Sequence, residues 1–371
     1  MIFACEKNLL LEAVNTVSRA VLPKATSPVM EGILVECYVE GRMKLIAYDL
    51  SLGIETEVPA EVTKGGTFVV NAKMFGDILR AMDNEKVSFK MDEHLNLTVS
   101  CGAAQFVIGC IDAAGFPILP MIQQDKYIEI KEDMLASMLR QTLFAVSENN
   151  ATPILQGTQF RVNNGSLELV ATNQYKLAIR KEPYLYDGDP FRFVVPGKTV
   201  TELTRMLRGD HNDDMVRISL ADRQIVFEIG STVVISRLLE GDFLDYERIL
   251  PTSFATVATV KIDGLKRAME RASILLNNEK IRIPVRFSFE FDSIITSCRS
   301  STGNTLTDQI KAAIDGPNLE IGFNNKYILE ILAACECEEI MIGLNKPNTL
   351  MKVTPTEGDR FIFMLSPMHL K

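Results

Sequence analysis

The chain has 371 residues, of which 47% are hydrophobic and 23% charged, and 39 basic against 48 acidic residues leave a formal charge of −9. A chain of this length divides into two or three ordinary domains, and its apolar share is enough for several buried cores. The acidic balance excludes a uniformly basic nucleic-acid coat, while leaving room for a local basic surface.

In chain order, the first predicted element is a helix over 6–20, with Leu10, Ala13, Val14 and Val17 at three- and four-residue spacing. Phe68-Val69-Val70-Asn71-Ala72-Lys73 then reads as a short strand and turn leading into a helix over 74–82, and Phe116-Pro117-Ile118-Leu119-Pro120 reads as a linker. A third helix follows over 131–146 (Leu135, Met138, Leu139). Leu167-Glu168-Leu169-Val170-Ala171 and Val216-Arg217-Ile218-Ser219-Leu220 alternate as half-buried strands do. Between them Phe193-Val194-Val195-Pro196-Gly197-Lys198 leads into a helix over 199–207. Phe243-Leu244-Asp245-Tyr246, with Leu250-Pro251 after it, forms a second linker. A helix over 263–276 (Leu265, Ala268, Met269, Ala272) opens the last third, and Ile321-Gly322-Phe323-Asn324-Asn325-Lys326 leads into a helix over 327–335.

These elements are one unit written three times. The three strand-turn-helix stretches align without gaps at offsets of 125 and 128 residues. Each carries a lysine (Lys73, Lys198, Lys326) with an acid four places on (Asp77, Glu202, Glu330). The expectation is an α+β fold of three repeats, 1–125, 126–252 and 253–371, each with two helices and many short strands.

Chemistry of catalysis is sparse. Only His94, His211 and His369 are present, and Cys335 and Cys337 stand too close for a zinc knuckle and have no second pair. Gly197-Lys198-Thr199 imitates the end of a phosphate-binding loop, but the glycine required five places earlier is Arg192. No cofactor or metal is expected. Seven cysteines, an odd number in a long chain, read as reduced thiols and a cytoplasmic location. No apolar run reaches a membrane span, and the first seven residues lack the basic-then-apolar order of a signal peptide.

The threefold unit, Thr172-Asn173-Gln174-Tyr175-Lys176-Leu177-Ala178, Phe243-Leu244-Asp245-Tyr246-Glu247-Arg248 and Pro367-Met368-His369-Leu370 together resemble the bacterial DNA polymerase III beta subunit family, the replicative sliding clamps. The resemblance spans essentially the whole chain. It implies a clamp fold of helices and antiparallel sheets, with two chains joined head to tail as a homodimeric ring of six domains around duplex DNA. It also implies a non-catalytic processivity factor whose partners are the polymerase III catalytic subunit, the clamp loader and other proteins bearing a short Gln/Leu/Phe-containing peptide.

Carried over, the wall of that peptide pocket comprises Leu155, Thr172, Tyr175, Lys176, Leu177, Leu244, Arg248, Ile249, Asn324, Tyr327, Met364, Ser366, Pro367 and Met368. The sequence departs from the family pattern at Asn173-Gln174, Leu244, His369 and Lys371. Basic residues number 10 against 16 acids in the first repeat, 15 against 18 in the second and 14 against 14 in the third. The helical segments nevertheless carry Lys73, Arg80, Lys198, Arg205, Arg208, Lys266, Arg267 and Arg271, and Lys24 sits in a Pro/Ala/Thr/Ser loop. As a group these are the expected DNA contacts, to phosphate and without base readout. Each alone can equally be a solvated helix face. For ring closure the expectation is an edge strand at 105–108 pairing near 294–298 of the second chain, with Phe106 and Ile108 on Ile274 and Leu275. Two other readings stay open: an enzyme on a repeated scaffold, which would need unique polar residues breaking the repeat, and a monomeric peptide-binding scaffold without DNA encirclement.

Overall fold

The computed structural model describes residues 1–370 apart from 26, 84, 121–125, 150, 208–213 and 222. Six α-helices occur among the described residues: α1 (Lys7–Val17), α2 (Ala72–Ala81), α3 (Glu132–Leu143), α4 (Gly197–Met206), α5 (Ile262–Leu276) and α6 (Asn325–Ala334). Five follow a strand directly, and α6 follows one after its cap, Asn324. α2, α4 and α6 each begin two residues earlier than the apolar periodicity predicts, and at α2 and α6 asparagines set the start. The Asn71 carboxamide oxygen accepts the Met74 N–H at 3.0 Å, and that of Asn324 accepts the Lys326 and Tyr327 N–H groups at 3.0 and 3.4 Å. Such caps satisfy backbone donors that a helix start leaves open. The repeat lysines therefore sit in the first helical turn. The helix expected over 6–20 ends at Val17 and tightens into a 3-10 turn, Ser18–Ala20, where the Ser18 hydroxyl donates to the Val14 carbonyl at 2.5 Å.

The chain separates into two compact units. The first, 1–135 with 205–238, holds two antiparallel sheets. A five-stranded sheet runs Glu61–Lys64, Ile2–Glu6, Lys86–Met91, Asn96–Cys101, Ala104–Gly109. An eight-stranded sheet runs Lys126–Lys131, Met215–Ala221, Gln224–Ile229, Thr232–Arg237, Leu52–Pro59, Arg42–Tyr48, Gly32–Tyr38, Gly66–Asn71. α1 and α2 pack side by side. Beneath them Phe3 stacks on Phe89 at 4.6 Å, with Phe68 and Phe75 against the pair. Each such buried ring contributes about 1.5–3 kcal/mol.

The second unit, 136–204 with 239–371, is built on one twelve-stranded antiparallel sheet. Its order is Phe191–Pro196, Gly157–Asn163, Gly165–Thr172, Lys176–Tyr184, Phe361–Leu365, Met351–Pro355, Glu339–Leu344, Thr256–Lys261, Thr305–Asp315, Ser293–Arg299, Val285–Glu290, Leu319–Phe323. α5 and α6 cover a core that includes Phe287, Phe289 and Phe323.

Two of these pairings join one repeat to the next. Leu52–Pro59 pairs with Thr232–Arg237, Leu52 opposite Ser236 and Thr56 opposite Thr232. Lys176–Tyr184 pairs with Phe361–Leu365, Lys176 opposite Leu365 and Arg180 opposite Phe361. The same backbone solution is used twice.

Ala104–Gly109 ends the five-stranded sheet and has one neighbour, so 105–108 is an edge strand, with Phe106 40% and Val107 64% exposed. The expected partner strand is corrected. Residues 294–298 lie in Ser293–Arg299, which is bonded on one side to Val285–Glu290 and on the other to Thr305–Asp315, so its backbone groups are already engaged. Thr305–Asp315 pairs with that strand through 305–311 but with Thr256–Lys261 only through 312–315. The second side of 305–311 is the open edge.

Candidate peptide and nucleic acid interfaces

The turn 172–176 positions the central side chains. The Asn173 carboxamide oxygen accepts the N–H groups of Tyr175 and Lys176 at 3.1 and 2.8 Å, and the Thr172 hydroxyl donates to the Lys176 carbonyl at 2.7 Å. Gln174, between them, has φ of 74°, a left-handed conformation that asparagine-anchored turns support. The consequence is alternation: Tyr175 points out at 56% exposure, and Lys176 points in at 4%.

Lys176 is held from three sides. Its ammonium donates to the Phe144 carbonyl at 2.5 Å, forms an ion pair with Glu330 of α6, and lies 4.6 Å from the centroid of the Tyr327 ring. Asn324 caps α6 and Tyr327 occupies its first turn. Tyr175, Lys176, Asn324 and Tyr327 together line a cavity of about 630 Å³, which Arg282 and Lys326 also enter. Charged and uncharged polar side chains dominate this cavity.

The other expected pocket residues lie elsewhere in the unit. Leu177 and Met364 are buried with Val170, Ile179 and Tyr246 in one small cluster, and Leu155 is buried with Ile154 and Val194 in another. Phe243 touches both clusters and so links them. Above this floor runs the second linker, where Leu244 and Ile249 are 43% and 42% exposed and Arg248 is exposed in a 2.7 Å pair with Asp245. Ser366 donates its N–H to the Tyr175 carbonyl at 2.8 Å, and Met368 donates to the Gly322 carbonyl at 2.8 Å, with Pro367 half-buried between them. A side chain at 322 would collide with the Met368 carbonyl and Leu370, so glycine admits the end of the chain. Thr172 is buried in its turn. The exposed members are Tyr175, Leu244, Ile249 and Arg248, three apolar or aromatic side chains and one cation.

Glu330 and Phe243 complete this arrangement without having been assigned to it. Glu330 was visible only as the acid of the repeat. Phe243 was visible only as a linker landmark.

All the described cations expected at DNA are exposed: Lys24 in its loop, Lys73 and Arg80 on α2, Lys198 and Arg205 on α4, and Lys266, Arg267 and Arg271 on α5. Arg208 lies outside the described residues. Arg80 pairs with Asp77 at 2.7 Å and donates to Asn15 at 3.1 Å, Arg267 pairs with Asp263 at 2.8 Å, and Arg271 donates to Asp308 at 2.6 Å. Exposed pairs of this kind are worth at most about 1 kcal/mol, so a phosphate can compete for them. Of the residues expected at the chain-to-chain contact, Ile274 is 75% exposed on α5 and Leu275 is half-buried against the core. Phe106 is partly exposed, and Ile108 faces its own sheet at 8%.

None of the seven cysteines is in a disulfide, and burial pushes the thiols of Cys5 to about 11 and of Cys37 and Cys110 to about 12, which keeps them unreactive. Among the described residues no helix is long and apolar enough to cross a membrane, and no group of three or more His, Cys, Asp or Glu is arranged to hold a metal ion.

Residues 1–120, 129–245 and 247–369 match the N-terminal, central and C-terminal domains of the DNA polymerase III beta subunit. The chain is 30% identical to the beta sliding clamp of Bacillus subtilis (strain 168) over 379 positions and 27% identical to that of Halalkalibacterium halodurans over 382, covering all of both sequences each time. The crystal structure of the DNA polymerase sliding clamp from Bacillus subtilis matches the full length of both chains with a TM-score of 0.94 at 28% identity. With all three domains matched in order, the chain belongs to the DNA polymerase III beta subunit family.

Proposed function

We propose that two copies of this chain close head to tail into a ring around duplex DNA and act in the cytoplasm as a sliding clamp. The ring tethers the polymerase III catalytic subunit and receives the clamp loader and other motif-bearing proteins at the Tyr175, Leu244 and Ile249 surface. Family membership makes the chain a processivity factor and not an enzyme. In this reading the repeats are 1–125, 126–252 and 253–371.

The observation that carries the reading is the recurrence of the junctions. The fourth strand of the first repeat pairs with the last strand of the second, and the corresponding strand of the second pairs with the last strand of the third. By the same rule the open side of 305–311 calls for the last strand of a first repeat. Ala104–Gly109 is that strand, and its edge is open. One contact joining unlike edges closes a dimer with two copies and covers edges that would otherwise aggregate. Phe106 and Ile274, both exposed here, belong to that contact. Mass photometry at nanomolar concentration is expected to give two chains for the natural sequence and one for Phe106→Asp with Ile274→Lys, with an unchanged circular dichroism spectrum. A two-chain mass for the folded double variant contradicts the interface.

A further inference from the structure

The first repeat, with Ile235 of the second, lines a groove of about 500 Å³ that clamp function as described above does not use. Leu34, Ile46 and Ile235 give it an apolar floor, Glu36 and Lys44 stand at its edge, and the first linker, with Ile118 87% exposed, forms one wall.

The second repeat shows what such a face holds. The two repeats share one turn: Asp49 accepts the N–H groups of Ser51 and Leu52 at 2.8 and 2.6 Å as Asn173 accepts those of Tyr175 and Lys176, and Leu50 and Gln174 have the same φ of 74°. Counting from that anchor, Ile46 corresponds to Val170 and Gly53 to Leu177. The cross-strand pair Glu36 and Lys44 corresponds to Arg161 and Glu168. The linkers correspond as Phe116 to Phe243 and Leu119 to Tyr246.

In the second repeat the face is filled from within. Tyr246 is 4% exposed among Val170 and Leu177, and its hydroxyl donates to Glu168 at 3.1 Å and accepts from Arg161. In the first repeat Leu119 stands there instead and leans over Gly53, where a Cβ would meet its Cδ2 at 2.4 Å. A leucine cannot reach Glu36 and Lys44, and although Leu119, Phe116 and Tyr48 pack on Ile46, a groove stays open beside them.

We propose that this groove receives the tyrosine side chain of a partner protein, with the ring on Leu34 and Ile46 and the hydroxyl between Glu36 and Lys44. The charges are those that hold Tyr246, exchanged between strands. Glu36 already accepts the Tyr38 hydroxyl at 2.7 Å and Lys44 pairs with Glu55 at 2.9 Å, but a carboxylate and an ammonium each retain sites for a further hydrogen bond. A ring without a hydroxyl would shield these groups from water and return nothing.

The test is a titration of the full-length, methyl-labelled protein with p-cresol, followed by methyl NMR. Saturable shifts are expected at Leu34, Ile46 and Ile235, with an affinity on the order of millimolar for so small a ligand. Toluene is expected to bind about five- to tenfold more weakly. Leu119→Tyr, which installs the second repeat's own filler, should abolish the shifts. Lys44→Ala, which disturbs no core residue, should reduce p-cresol to the level of toluene. Shifts that do not saturate, that fall on other methyls, that are equal for the two ligands, or that survive Lys44→Ala overturn the proposal.

Discussion

The two junctions within the chain share a backbone and differ in what they bury. At the first, Leu52 follows the turn and is 1% exposed, and Thr56 meets Thr232 hydroxyl to hydroxyl at 2.9 Å. At the second, the corresponding residues are Lys176, 4% exposed and paired with Glu330, and Arg180, 1% exposed and paired with Glu182, which Arg360 also reaches at 3.0 Å. Burying ions contributes little to stability compared with burying apolar groups of the same size. The first junction therefore satisfies the demands of packing. The second accepts the desolvation of two cations, and it is the one beside the proposed peptide surface. Strand pairing repeats because main-chain hydrogen bonds ignore side-chain identity, whereas each junction's electrostatics are its own.

Removing an acid at the second junction should have the largest effect. Glu330→Ala leaves the Lys176 ammonium buried without its carboxylate, and the expected loss in chemical denaturation is about 3–5 kcal/mol. Lys176→Met combined with Glu330→Ala should recover most of it, making the second junction resemble the first. If Glu330→Ala costs no more than a surface substitution, the two junctions do not differ as described.

A smaller effect sharpens the functional side of the contrast. Deleting residues 366–371 removes Pro367 and Met368 and the hydrogen bond from Ser366 to Tyr175. A fluorescent Gln-Leu-x-Leu-Phe peptide should then lose about 2 kcal/mol or more of binding, roughly thirtyfold, while the chain stays folded and dimeric. Equal affinity for the shortened chain argues that the peptide does not use this surface.

What was legible in the sequence was local. Apolar spacing found the six helices of the described residues, and the strand-turn-lysine pattern found the three repeats, because periodicity and capping act over a few residues. Asn71 and Asn324 cap their helices, yet the apolar periodicity starts two residues later, because periodicity marks the buried face and not the first turn. Of the two sheet edges expected at the chain-to-chain contact, 105–108 was legible and its counterpart was not. Residues 294–298 and 305–311 lie in neighbouring strands, and only their order in the sheet decides which has a free side. Lys176 was read as part of a pocket wall, but its type gives no sign that Glu330, far along the chain, and the Phe144 carbonyl draw it inward. Tyr175, Leu244 and Ile249, the apolar residues left exposed, came from the family resemblance and not from their spacing.

Retention on circular DNA tests the central claim most directly. A binder that neutralises Z phosphates loses affinity with a log–log salt slope of about −0.9Z, and a chain of net charge −9 with several cations already facing acids should hold duplex weakly by contact alone. A closed ring does not depend on those contacts. After loading onto a nicked circular plasmid by a clamp loader and ATP, the protein is expected to stay through a high-salt wash and to leave when a restriction enzyme linearises the circle. Substituting Lys24 or Arg205 should lower loading without abolishing retention. Loss from the intact circle at high salt, as fast as from linear DNA, would contradict encirclement and leave a peptide-binding scaffold as the better account.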